Sequence, residues 1–317
     1  MTAACSATML GFMRISRVVA AGIAHPFGDE RSVTQAFPNP IKAQDADPFL
    51  MCDYFNMPSD GVARDEDHFP IDWHPHRGMD ILSYFRTGVG RHGDSLGNRE
   101  TFATPGMQWM SVGSGVEHAE GGGTPAGQEQ QGFQIWINVP KEFKMNDPVY
   151  GTEPPEAIPQ EEIAPGAKAR LLAGPMGERV GVFKTKASVQ VIDFDLDASA
   201  SLKHTVPVGM DCALLFIYQG AAQVNDAAVK GNSIVVFDAA ATGDGSGGRT
   251  FELKATGGAL SAILFAGKRI KEPIAWHGPI VMNTQAEIQS TFRQLREGKF
   301  PPVRVPWDYH YIKNKPK

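Results

Sequence analysis

The sequence predicts an all-β protein made of two antiparallel β domains, with one helix near the C-terminus. Three observations carry this. Between residues 48 and 139, short alternating apolar runs (ILSYF, QWMSV, FQIWINV) are separated by Gly, Asn and Asp clusters, the pattern of an antiparallel sandwich or barrel. In the second half, LLFIYQGAAQV and then GNSIVVF repeat the strand, Gly turn, strand order of DILSYFRTGVG and then GMQWMSV. Finally, 34 Gly and 23 Pro in 317 residues favour turn-rich β architecture over a helical bundle, and the length suits two domains.

Residues 1–13 read as a disordered lead. The first 28 residues hold no Asp or Glu and include Arg14 and Arg17, as organelle transit peptides do, but charge inside the apolar stretch argues against a secretory signal. A first strand is expected over 15–24, opening a domain that runs over 14–145, with 93–98 (GDSLGN) as the tip of a long hairpin. Residues 146–159, rich in Pro and Glu, read as a linker, and 160–282 as the second domain. In the last segment, 283–317, Thr284 and Glu287 make a capping box; Ile288, Phe292 and Leu295 line one face, and Gly298 marks a stop. A helix over 284–297 follows.

Composition narrows the function. A net charge of −5 gives no basic footprint, so direct nucleic-acid binding is disfavoured. No apolar run is long enough to span a membrane as a helix. The three cysteines, Cys5, Cys52 and Cys212, are widely spaced, which points to neither a disulfide framework nor a thiolate metal site. A soluble, monomeric, cytoplasmic protein is expected. Cys52 reads as a small buried hydrophobe.

The chemistry concentrates between residues 73 and 120. His74 and His76 are separated by one residue, so on a strand both imidazoles face the same side; His118 and Glu120 repeat that spacing on a second strand. Three nitrogen donors and one carboxylate on neighbouring strands outline a mononuclear metal centre. By donor type, iron(II), manganese, nickel and copper suit it equally. His92 and the Asp94 to Asn98 turn read as hairpin-tip chemistry, Asp and Asn satisfying their own backbone. Trp73, Trp109, Trp136 and Phe133 are candidates for an aromatic substrate wall, with Trp73, next to a ligand, foremost. Aligning the two halves carries His118 and Glu120 onto Gly243 and Gly245, and His204 stands alone, so the second domain is expected to hold no metal.

With DPFLMCDYF, HPHRG, HGDSLGN, PGMQWMSVGSGVEHAE and GPIVMNTQAEI in this order and spacing, the chain resembles the pirin family of the cupin superfamily from residue 14 onward. The resemblance implies a bicupin, two antiparallel cupin β-barrels, with one Fe(II) in the N-terminal barrel on His74, His76, His118 and Glu120. It also implies a dioxygenase with quercetinase activity, cleaving a flavonol with O2, in which Glu120 is the catalytic group that accepts the substrate's proton. The alternative it implies is a non-enzymatic, iron-dependent regulator that binds transcription factors or metabolic enzymes as protein partners. Two departures stand out. Asp80 replaces a glutamate that is not a ligand in pirins, so the metal should stay in place; a triglycine at 121–123 replaces Met-Pro, which implies a more open or mobile mouth.

Overall fold

The computed structural model describes residues 12–27, 30–58, 61, 69–122, 129–238 and 249–311. By its internal contacts the chain divides into two compact units. The two follow one plan. Each has a seven-stranded and a four-stranded antiparallel sheet.

The unit that carries the candidate site draws on residues 22–158, 182–187 and the chain after 270. Its larger sheet runs in the order Val149–Glu153, Gly106–Ser111, Met79–Thr87, Gln130–Asn138, Phe49–Met57, Glu30–Phe37, His25–Phe27. The smaller sheet runs Ile71–His76, Val116–Gly122, Gly90–Asp94, Arg99–Phe102. Alternation sorts the side chains. Gln134 and Trp136 of one strand face a cavity together with Ser83, Phe85, Met51 and Phe55, while Phe133 turns to the other face, where it lies against Tyr54 and Tyr84. Leu50, Met79, Ile81, Met110, Val112, Val116 and Val281 form a buried apolar cluster in the same unit.

The other unit has the sheet order Ile15–Ala20, Ser233–Phe237, Cys212–Gln219, Leu260–Gly267, Val189–Leu196, Ala167–Ala173, Gln160–Ala164, with a four-stranded sheet Ser201–Thr205, Thr250–Ala255, Ala222–Val224, Ala227–Val229. Its interior is apolar, with Phe194, Leu215, Phe251, Leu253 and Leu264 among the fully buried residues. His204 is buried there, its Nε2 2.8 Å from Gln190 Oε1 and its ring packed beside Phe194 and Phe251. Burial pulls its pKa down to about 4.

Several boundaries differ from those read along the chain. The strand Ile15–Ala20 does not open the first domain; it pairs with Ser233–Phe237 in the other unit. Residues 146–159 are not a free linker, because Val149–Glu153 pairs with Gly106–Ser111 as an edge strand. The hairpin Ala275–His277, Ile280–Met282 belongs with the first unit, not the second. Edge pairings join residues far apart in sequence, and no local pattern announces them. The internal alignment also shifts. By strand order the counterpart of Val116–Gly122 is Thr250–Ala255, whose buried positions are Phe251, Leu253 and Ala255. Gly243 and Gly245 lie outside the described residues.

The C-terminal helix spans Gln285–Arg296, with Thr284 as N-cap and a complete capping box. Thr284 Oγ1 accepts from the Glu287 backbone N–H, and Glu287 Oε2 accepts from the Thr284 N–H at 2.8 Å. Ile288 and Phe292 pack on Ala275, Ile280 and Met282, and Leu295 is half-buried. Gly298, at φ +66°, ends the helix. Among the described residues no helix is long and apolar enough to cross a membrane.

Candidate metal centre

His74 and His118 stand directly opposite on the antiparallel strands Ile71–His76 and Val116–Gly122, and His76 stands opposite Val116. Period-two alternation turns His74, His76 and His118 to the same side, and their ring centroids lie 4.4 to 4.8 Å apart. One nitrogen from each ring lies within 4.8 Å of the others. Hydrogen bonds choose which nitrogen. His74 Nδ1 donates to the Asp72 carbonyl at 2.7 Å, and His76 Nδ1 donates to the Pro279 carbonyl at 3.2 Å. A carbonyl only accepts, so in the neutral rings both Nε2 atoms carry the free lone pair.

The buried atoms around these rings fit a metal. His76 is 1% exposed, yet its Nε2 has no hydrogen-bond partner. His118 Nε2 lies 2.9 Å from His74 Nε2, and its Nδ1 is also without a partner. The open His76 Nε2 calls for an explanation, and a cation at the convergence of the three imidazoles supplies one; it would meet His118 at Nε2 and leave that ring's Nδ1 as it is. Burial first, then the charge of neighbouring histidines, holds the His76 and His118 pKa values well below the usual histidine range. Both rings are therefore neutral at pH 7, the form that ligates. Three nitrogen donors suit a first-row transition metal and not calcium or magnesium.

Glu120 is beside this triad. Its Oε1 is 3.8 Å from His118 Nε2 and accepts from Gln134 Nε2 at 2.6 Å, while Oε2 accepts from Gln108 Nε2 at 2.8 Å and Ser83 Oγ at 3.0 Å. The strand register slips between His118 and Glu120 against Ile71–His76. The four expected site residues thus lie together, three converging and the fourth held by amide and hydroxyl donors. Gln108, Gln134 and Ser83 were not singled out in the sequence. Each is a polar residue at an inward position of an alternating strand, and that signal could have found them.

Other candidates fall outside the triad. His92 Nε2 lies 2.9 Å from Asp94 Oδ2, and the ring stacks on Tyr150 at 4.2 Å. Asp94 Oδ1 accepts from the Leu96 and Asn98 N–H groups, the self-satisfied turn expected of it. Asp80 lies on the opposite face of its strand from Ser83, and burial raises its pKa to about 6 against hydrogen bonds from Thr185 and Ser111. It is not among the converging groups. Cys52 is buried, and burial pushes its thiol pKa well up, so it is no thiolate.

A cavity of about 560 Å³ opens from His74 and His76. Its aromatic wall differs from the expected one. Trp136 lines it, with its ring edge-on to His76 at 5.1 Å, but Trp73, one residue from a ligand, points away and packs on Tyr309 and His310. The alternation that aims His74 inward aims Trp73 outward. Trp109 packs on Phe183, and Phe133 is wholly buried on the far face. Trp276, from the C-terminal hairpin, completes the wall beside Trp136 at 6.0 Å. No local signal marks it, since 140 residues separate the two. Two of the three glycines after Glu120 are described, and both belong to a paired strand. Gly121 and Gly122 are strand residues paired with Gly90–Asp94, and a Cβ on Gly122 would lie 2.3 Å from the Val89 carbonyl oxygen. Gly123 lies outside the described residues.

The chain is similar to known proteins. The Pirin family profile matches residues 30–137, and the Pirin C-terminal cupin domain profile matches residues 191–301. A Thermoplasma acidophilum protein with a provisional quercetin 2,3-dioxygenase name is 33% identical over 270 residues, 78% of this chain and 98% of its own. A pirin-like protein of Caulobacter vibrioides is 32% identical over 268 residues, 82% of this chain and 89% of its own. Among solved structures, a quercetin 2,3-dioxygenase from Acinetobacter baumannii superposes with a TM-score of 0.82 at 27% identity, over 92% of this chain and 99% of that one. A bacterial pirin from Escherichia coli in complex with nickel(II) shares the fold, with a TM-score of 0.57 at 16% identity over 80% of this chain and 100% of that one. Two cupin units, a histidine triad in the first of them and these matches make the chain a member of the pirin family.

Proposed function

We propose that this protein is a metal-dependent dioxygenase that cleaves a flavonol such as quercetin with O2. The observation that carries the reading is the convergence of His74, His76 and His118, each with a nitrogen free to ligate, at an apolar cavity with one carboxylate beside them. The three histidines would hold one divalent metal, Fe(II) by family resemblance, with Glu120 as the fourth ligand. When bound, such a metal supplies Lewis acidity that makes a coordinated hydroxyl easier to deprotonate.

The residues divide the remaining work. Trp136, Trp276, Met51, Phe55 and Phe85 offer apolar surface to a planar polyphenol and exclude water. Glu120 takes the hydroxyl proton at Oε1, the oxygen on the triad's side. Gln108, Gln134 and Ser83 hold the carboxylate in position. The relatives that carry a quercetin 2,3-dioxygenase name support this reading.

The test is oxygen uptake by the iron-loaded protein across a panel of flavonols. Turnover that depends on iron and on His74 is the expected result. Absence of uptake with every flavonol would overturn the enzyme reading and favour the regulatory one.

A further inference from the structure

The geometry points to Arg77 as a positioning residue for the metal centre, through which the C-terminal helix becomes part of the support of His76 and His118. The inference rests on the metal reading of the three histidines and not on the dioxygenase reaction.

Arg77 follows His76 directly and is 3% exposed, and its hydrogen bonds go to a carbonyl, a hydroxyl and an amide oxygen, none of them a carboxylate. Its guanidinium reaches three places. Nε donates to the Ser114 carbonyl at 2.7 Å, on the turn that leads into the strand of His118. Nη1 donates to Thr291 Oγ1 and Nη2 to Gln294 Oε1, both at 2.8 Å and both on the C-terminal helix. The planar cation also lies 4.9 Å from the Phe300 ring centroid, just past the helix. Since Val116 pairs with His76, the guanidinium sits where the two ligand-bearing strands begin and end together. A fork with fixed directions suits this position, and an ammonium does not.

The backbone around Arg77 is bolted to the same C-terminal segment. The Val281 N–H donates to the Arg77 carbonyl at 3.0 Å, and Pro279, two residues earlier, accepts from His76 Nδ1. Gly78, at φ +82°, leaves no room for a side chain, because a Cβ would lie 2.1 Å from the Val281 carbonyl oxygen. Buried Lys144 Nζ donates to the Gly78 and Val281 carbonyls at 2.6 and 3.2 Å. The carbonyl that orients His76 is thus placed by a hairpin whose helix is held by the residue after His76. Groups that orient a metal-bound histidine typically change affinity by about 10- to 100-fold when removed.

Linkage makes the coupling reciprocal: if the docked helix tightens metal binding, bound metal tightens helix docking by the same factor. The experiment measures nickel(II) affinity by chelator competition for wild type, for Arg77→Lys, and for Thr291→Val with Gln294→Leu, which leaves the ligand strands untouched. Glu287→Ala is the control; it weakens the helix cap without touching Arg77 and should lower the Tm while leaving nickel affinity within about twofold. Each Arg77-network variant should lose about tenfold in affinity. Nickel should slow amide hydrogen exchange over 285–296 in wild type and not in Arg77→Lys. The helix-side variant keeps the test valid if Arg77→Lys does not fold. The inference is overturned if the folded variants stay within about twofold of wild type, if the control loses as much as they do, or if nickel leaves helix exchange unchanged. Wild-type protein that binds no nickel would sink the metal reading itself, a different failure.

Discussion

Glu120 has two proposed roles, ligand and base, and Glu120→Gln pulls them apart. In the wild-type site three donors surround the carboxylate: the Gln134 amide at Oε1, and the Gln108 amide and Ser83 hydroxyl at Oε2. A carboxamide keeps one oxygen as an acceptor and presents an NH2 group where the other was. That NH2 would face a donor. Gln108, however, holds a buried Oε1 with no partner, so rotating its amide by half a turn offers an acceptor to the new NH2. The fold should therefore lose only the charge assistance of these bonds, about 1–2 kcal/mol. Turnover should fall far more, by the 10²–10⁴-fold typical of a removed general base, roughly 3–5 kcal/mol on the barrier. Glu120→Asp keeps the charge with a shorter reach, strands at least one of the three donors, and should fall between. The assay is steady-state oxygenation of a flavonol at matched iron occupancy, with the Tm of each variant alongside. Wild-type turnover in iron-loaded Glu120→Gln would refute the base assignment.

Three further outcomes are expected. His76→Ala removes the buried nitrogen that has no protein partner, so metal affinity should fall at least about 100-fold while the metal-free Tm shifts little; elemental analysis of wild type should find one metal per chain, and two would contradict the site. Asp80, with its folded pKa raised to about 6 from an unfolded value near 3.8, contributes stability that is complete below pH 3.8 and lost as pH rises through 6. The span is worth about 3 kcal/mol, so Asp80→Asn should flatten that slope in denaturation curves, and an unchanged slope would show that another group sets it. Ile288→Ala should cost about 2–4 kcal/mol, read by chemical denaturation, because Ile288 is the buried anchor of the helix on Ala275, Ile280 and Met282.

The parts of this protein that were legible in its sequence are those set by short-range periodicity. Alternation on two strands is enough to bring His74, His76 and His118 to one side, because a strand offers no other way to place residues two apart. The capping box is equally local: Thr284 and Glu287, within one turn of each other, each accept from the other's backbone N–H. Trp73 shows the same rule neglected: adjacency to a ligand in sequence is opposition on a strand, and Trp136, inward on its own strand, was the residue to prefer. What the sequence hid is non-local. The sheet partner of Ile15–Ala20, the edge pairing of Val149–Glu153 and the arrival of Trp276 and Pro279 at the cavity depend on which segments meet, and burial decides that across the whole unit.

The contrast between the two units shows what the metal site adds to the fold. In the second unit the strand in the place of Val116–Gly122 buries Phe251, Leu253 and Ala255, and the buried His204 has a protein partner in Gln190. In the first unit the same architecture keeps three imidazoles together, and the open buried Nε2 of His76 among them costs stability until something fills it. The compensation lies around them. Carbonyls of Asp72 and Pro279 fix two tautomers, and Gln108, Gln134 and Ser83 fix the carboxylate. Most of these groups come from the sheets, but Pro279 comes from the C-terminal hairpin. The site is therefore finished only when the last part of the chain has docked, and the His76→Ala and Arg77→Lys variants distinguish its two layers: loss of a ligand should cost at least about 100-fold in affinity, whereas loss of the clamp should cost about tenfold and free the helix.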